Sequence, residues 1–263
     1  MSWIRELYRF RYFIITSIVN EFRSRFVRSR LGAAWMILNP LAQVLIFAFI
    51  LSELLSAKLP GIDNKYSYAI YLMAGTVGWT LFAEIFNRCL TVFIDNGNTM
   101  KKLAFPKITL PVIVTGSALV NNLLLLLSVT LIFAMLGHTV SSAILWLPVV
   151  MIVTIAFAVG LGLFFGVLNV FIRDIGQIMP IILQIWYWFT PVVYMEAILP
   201  KGYGKYIALN PMYPIISAYH NIFVFQKTPN MTGIGVIGCI SAGLLLLAVF
   251  VYRRASAEMV DVL

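Results

Sequence analysis

Apolar stretches of bilayer length constrain this chain before anything else does. Six of them, at about residues 33–57, 67–92, 110–136, 144–169, 177–196 and 233–252, reach the roughly 20 residues that a helix needs to cross a hydrocarbon core. Such runs span as helices, because lipid offers backbone N–H and C=O groups no partners of its own. Composition closes the alternatives. Of 263 residues, 61% are hydrophobic and 11% charged, against roughly 25% charged in an ordinary soluble domain; mean hydropathy is +0.94. Disorder, collagen, a disulfide scaffold and an ordinary cytosolic enzyme are excluded. The expected fold class is an all-α polytopic membrane protein with six transmembrane helices.

Lysine and arginine set the orientation. Outside the spans or at their ends, thirteen fall on the side of the N-terminal segment, the second and fourth loops and the tail. The opposite side has five: Lys58, Lys65, Lys201, Lys205 and Lys227. The positive-inside rule then predicts cytoplasmic termini. The net charge of +9 reads as basic flanks facing anionic headgroups, with no nucleic-acid partner.

One membrane domain, 1–263, accounts for the whole chain. Residues 1–32 read as an amphipathic helix in the cytoplasmic interface, 33–252 as the six-helix unit and 253–263 as a cytoplasmic tail. Ile15, Ile18, Phe22 and Phe26 fall on one face of the first of these, with arginines around the rest. The apolar run from Phe10 is short, interrupted by Arg11 and followed by no small-residue cleavage site, unlike a signal peptide. Between spans five and six, residues 197–232 are aromatic and broken by Pro200, Pro211, Pro214 and Pro229. A segment too short to span and too apolar for water predicts outer re-entrant helices.

Much chemistry is missing. No GxxxxGK[ST] phosphate loop occurs, so no nucleotide site and no catalytic residues are expected. The histidines, His138 and His220, are far apart, and Cys89 and Cys239 form no CxxC, so no metal is assigned. Apart from Glu196 at the very end of the fifth stretch, Glu53 and Glu84 are the only carboxylates within the spans, and Glu84 precedes Arg88 by four residues, a favourable helical pair. A proton relay or Na⁺ site has little support.

Small residues at helix-packing spacing are present: Ala158, Gly162 and Gly166 in the fourth span, Gly238 and Ala242 in the sixth. Asn39, Pro40 and Gln43 predict a kinked, partly polar first span. Trp186, Tyr187, Trp188, Phe189 and Tyr194 crowd the fifth span. Interfacial belts use Trp and Tyr, but four successive aromatics in mid-helix also suit stacking on sugar rings. Tyr187 and Tyr194, seven residues apart, fall on one face of a continuous helix.

Four stretches together resemble one family. Arg30–Trp35 with Leu38-Asn39-Pro40-Leu41 is similar to the start of the first span of ABC-2-type permeases. Phe105-Pro106-Lys107 with Leu110-Pro111 resembles their second inner loop and third span. Arg173-Asp174-Ile175 and Trp188–Tyr194 resemble their fourth loop and fifth span, where many members have Ser-Pro in place of Thr190-Pro191. Leu209-Asn210-Pro211 resembles the element before the last outer segment. The likeness covers nearly the whole sequence and is greatest to polysaccharide exporters of the Wzm type, which move O-antigen.

The resemblance implies a homodimer in the bacterial inner membrane, paired with two copies of a phosphate-loop ATP-binding subunit and surrounded by membrane lipids. ATP and Mg would bind on that partner, with no cofactor on this chain. The implied substrate is a lipid-linked glycan. Short inner-loop helices would dock on the ATPase, here matching Asn98, Lys101, Lys102, Arg173, Asp174 and Ile175. Arg23, Arg25, Arg28 and Arg30 would meet the lipid pyrophosphate at the entrance. Trp186, Tyr187, Phe189 and Tyr194 would line the substrate path. The competing readings are a capsule, teichoic-acid or small-molecule exporter of the same family, a secondary transporter or channel, and a membrane-embedded transferase. The last needs paired carboxylates in the inner loops, where only Asp95 and Asp174 occur.

Overall fold

The computed structural model describes residues 5, 8–26, 34–47, 66–102, 106–135, 137–138, 141–195, 204–256 and 258–262. Among them every regular element is helical: α1 (Arg11–Phe26), α2 (Trp35–Phe47), α3 (Ser67–Asp95), α4 (Gly97–Lys102), α5 (Thr109–Met135), a 3₁₀ turn (Ser142–Trp146) leading into α6 (Leu147–Phe171), α7 (Ile175–Phe189), α8 (Gly204–Ala208), α9 (Met212–Phe223), α10 (Met231–Ala255) and α11 (Glu258–Val262). The protein is an all-α polytopic membrane protein.

Four helical runs are long and apolar enough to cross a bilayer: α3, α5, the continuous Ser142–Phe171 run and α10. They coincide with the second, third, fourth and sixth apolar stretches. The first stretch is described only over the 13 residues of α2, which continues through Pro40; Glu53 and the rest of that stretch lie outside the described residues. The fifth differs from expectation. Helix α7 has 15 residues and rises about 22 Å, short of the roughly 30 Å core. It stops at Phe189, not at 196. Pro191 disfavours helical geometry at the residue before it, and Thr190 is extended there, with ψ 133°. The Thr190 hydroxyl turns back to donate to the Trp186 carbonyl at 2.9 Å.

Helix α3 is the centre of the bundle. It packs against α6, α5 and α9, and α6 packs in turn against α10. The expected close approach of small residues holds for α6. A Cβ at Gly166 would collide with the Cys89 carbonyl of α3, so only glycine lets these backbones meet. It does not hold for Gly238, where a Cβ would meet only Val153 at an ordinary 3.9 Å.

Helix α1 lies against α5, with Ile18 and Phe22 on the packed face as expected and Ile14 there in place of Ile15. Ile14 is 8% exposed while Ile15 is 57% exposed. Ile14, Ile18, Glu21 and Phe22 make the inward stripe, and Tyr12, Phe13, Ile15 and Val19 face outward. Apolar residues on this helix are spread over more than one face, so a partner's surface chooses the face that packs.

Candidate translocation site

One end of the bundle, where α7 meets α9, is assembled around Asn210. Its side-chain carbonyl accepts from Trp186 Nε1 at 2.8 Å and from the Met212 backbone N–H at 3.0 Å. Its amide donates to Thr190 Oγ1 at 2.8 Å and to the Phe189 carbonyl at 3.3 Å. One side chain therefore ties the end of α7 to the start of α9. The turn after α7 is held from α3 as well: Tyr68 donates to the Val193 carbonyl at 3.2 Å and Tyr71 to that of Tyr194 at 3.1 Å.

This arrangement sorts the aromatic residues. Trp186 is a packing residue, edge-on to Trp79, Phe82 and Phe157. Tyr187 is half-buried against Trp79, with Thr76 beside its hydroxyl. Trp188 and Phe189 are 62% and 70% exposed. Tyr194 lies in the turn beyond the helix, so the two-turn register that paired it with Tyr187 does not exist. The ring that does stack nearby is one that periodicity missed. His220 of α9 lies flat on Tyr71, centroids 3.7 Å apart, and Phe225 meets Tyr71 edge-on.

Beside them is a cavity of about 280 Å³ lined by Tyr71, Pro191, Met195, Tyr213, Ser217, His220 and Phe225. Its polar groups are hydroxyls and an imidazole whose pKa is lowered by burial, so the ring is neutral. Among the described residues the lining offers ring faces, hydroxyls and no charged side chain, which suits a neutral polyhydroxylated compound. No sequence signal joins residues 71, 191–195 and 213–225; only the docking of α9 onto α3 does. His138, the other histidine, is packed: its Nε2 pairs with the Phe223 carbonyl.

At the opposite end of the bundle, Asn98 and Lys101 are exposed on α4, beside buried Met100. Arg173 and Asp174 are exposed in the turn between α6 and α7, with Ile175 partly buried. The turn is rigidly placed by Asn169, whose amide donates to the Leu90 carbonyl at 3.0 Å and whose carbonyl accepts from Gly176 N–H at 2.8 Å. Asn169 had no distinguishing spacing in the sequence. Among the described residues neither Arg173 nor Asp174 joins an ion pair. Arg23 is exposed on α1. The side chains of Arg25 and Lys102, and Arg28 and Arg30 altogether, lie outside the described residues, as does Phe105.

Comparison with known proteins shows the family. The ABC-2 type transporter family profile matches residues 12–224. The chain is 24% identical over 260 residues to the O-antigen export system permease protein RfbA of Myxococcus xanthus, covering 98% of each chain. It is 24% identical to the Klebsiella pneumoniae protein of the same name over 92% of each. It is 25% identical to the polysialic acid transport protein KpsM of Escherichia coli over 75% of this chain and 76% of that one. The chain belongs to the ABC-2 type transporter family.

Proposed function

We propose that the chain is the membrane subunit of an ATP-driven exporter that carries a lipid-linked polysaccharide, O-antigen in the first instance, out of the cytoplasm. The observation that carries this reading is the end-to-end match to O-antigen export permeases, over 98% of both chains in one case. In this reading the first and fifth apolar stretches complete six spans, and both termini are cytoplasmic. Two copies form the conduit, because six short spans are few for enclosing a hydrated polymer. Hydrolysis of ATP, with Mg, takes place on a separate phosphate-loop subunit, which supplies the motif this sequence lacks.

The helix of Asn98, Lys101 and Lys102, on which Asn98 and Lys101 are exposed, and the Arg173-Asp174-Ile175 turn transmit the ATPase stroke. Arg23, Arg25, Arg28 and Arg30 receive the lipid pyrophosphate. Tyr187, Phe189 and Tyr194 border the glycan path, with Trp186 holding their frame. A capsule-type polymer is the second reading, favoured by the similarity to the polysialic acid transporter.

The test is co-purification with a phosphate-loop ATPase from the same cell, followed by reconstitution in vesicles. Lipid-linked glycan from the same cell should stimulate hydrolysis and appear in the lumen of vesicles that expose the ATPase outside. A stable complex that hydrolyses ATP and moves no glycan would overturn the substrate reading.

A further inference from the structure

Charge within a membrane domain is costly and seldom idle. Among the described residues it collects where α1, α3 and α5 meet. Arg88 Nη2 of α3 lies 2.7 Å from Glu21 Oε1 of α1. Its Nη1 lies 3.7 Å from Glu84 Oε1, one turn back on α3. The Ser117 hydroxyl of α5 donates to Glu21 Oε2 at 2.7 Å, and the Asn121 amide donates to Glu84 Oε1 at 2.7 Å. All three charged side chains are mostly shielded from solvent.

The cluster is asymmetric. Glu84, Arg88 and Asn121 belong to the bundle: without α1, Asn121 still donates to Glu84 and Arg88 still faces Glu84 at ion-pair distance. Glu21 is a second carboxylate added to a cation that already has one. Removing one partner of a buried ion pair is normally severe because the other is left uncompensated. Here the bundle keeps a neutral pair when Glu21 departs, and Glu21, on an interfacial helix, returns to headgroup water. The seat is shaped for the same helix one turn earlier. A Cβ at Gly116 would collide with Ile18 Cδ1, so glycine beside Ser117 leaves the notch that Ile18 fills. A close charge contact and a fitted notch favour docking, and the leftover pair makes undocking tolerable. Those are the two requirements of a two-state element.

We propose that Glu21 is a reversible latch: it seats α1 on α3 and α5 through Arg88 and Ser117, and releases α1 when the entrance takes up substrate. Glu21 and Arg88 are positioning residues here, and the release step rests on the reading of α1 as the border of that entrance.

The experiment uses the full complex with its ATP-binding subunit, in a C239S background. The pair I18C/G116C locks α1 in its seat by disulfide, while I18C alone reports undocking by its rate of maleimide modification. E21Q should raise that rate about tenfold, the scale of a hydrogen bond to a charged group. S117A should raise it less, and should still report on the latch if changes at Arg88 impair folding. The locked pair should stop surface polysaccharide from appearing on cells, and reductant should restore it. An unchanged modification rate in E21Q at normal protein level overturns the latch. A raised rate in E21Q, with full export from the locked pair, overturns the entrance reading instead.

Discussion

Single side chains divide here into those that fix the frame and those that are free to meet a substrate. Asn210 is of the first kind. Asn210→Ala leaves the Trp186 indole N–H and the Met212 backbone N–H without their acceptor, at a cost on the order of 3 kcal/mol. Its thermal unfolding in detergent should fall clearly below that of the parent chain. Phe189 is 70% exposed, and Phe189→Leu should leave the unfolding temperature unchanged, since leucine is as soluble in lipid tails as phenylalanine. A leucine scan of Trp186, Tyr187, Trp188 and Phe189 therefore separates two readouts. Protein level should drop at Trp186, where the ring is packed. Export should drop several-fold at constant level at Tyr187, as losing one stacking contact of about 1 kcal/mol implies. Equal loss of protein at all four positions would mean that the cluster is packing and no path runs there.

Among elements, the α3–α6 seam and the turn after α6 make opposite predictions. Gly166→Val drives a branched side chain into the Cys89 carbonyl, and folded protein should be nearly lost, while Gly238→Ala, whose Cβ meets only Val153 at an ordinary contact distance, should behave as the parent. The Arg173-Asp174 turn is anchored by Asn169 and exposes both charges. Reversing either one should leave insertion and amount intact yet lower glycan export relative to ATP hydrolysis in the reconstituted complex. In the double swap Arg173→Asp with Asp174→Arg, export should stay low. Full recovery would show that the two residues only balance each other, and that no partner reads their order.

For the whole molecule, the outward stripe of Ile178, Ile181, Ile185 and Trp188 on α7 leaves a short helix covered on one side only. The homodimer reading predicts that single cysteines along this stripe form interchain disulfides in membranes, in a pattern that repeats at helical spacing. Cross-linking spread evenly around α7 would speak against an ordered dimer at this face. The missing phosphate loop makes a separate expectation: the purified chain alone should hydrolyse no ATP, and activity should appear only with the ATP-binding subunit. Turnover that persists in the chain by itself after contaminants are removed would contradict the division of labour.

Length and apolarity alone determined the class, because a bilayer admits few solutions for unpartnered backbone groups. For that reason α3, α5, α6 and α10 stand where the apolar stretches stand. Local chemistry was legible where it acts within one helix: the Glu84–Arg88 pair is four residues apart in both sequence and structure. The end of α7, the rotation of α1 and the partners of His220 were not legible. Thr190-Pro191 is visible in the sequence, but whether an X-Pro step kinks a helix or ends it depends on what receives the freed groups, here Asn210 and the tyrosines of α3. Periodicity placed Ile18 and Phe22 on the packed face of helix α1 but also favoured Ile15, while the notch at Gly116 and the guanidinium of Arg88 set the rotation that brings Ile14 and Glu21 inward. The same holds for the Tyr71–His220 stack. Residues far apart in sequence carry no record of their contact in spacing, so packing between elements decided what periodicity within them left open.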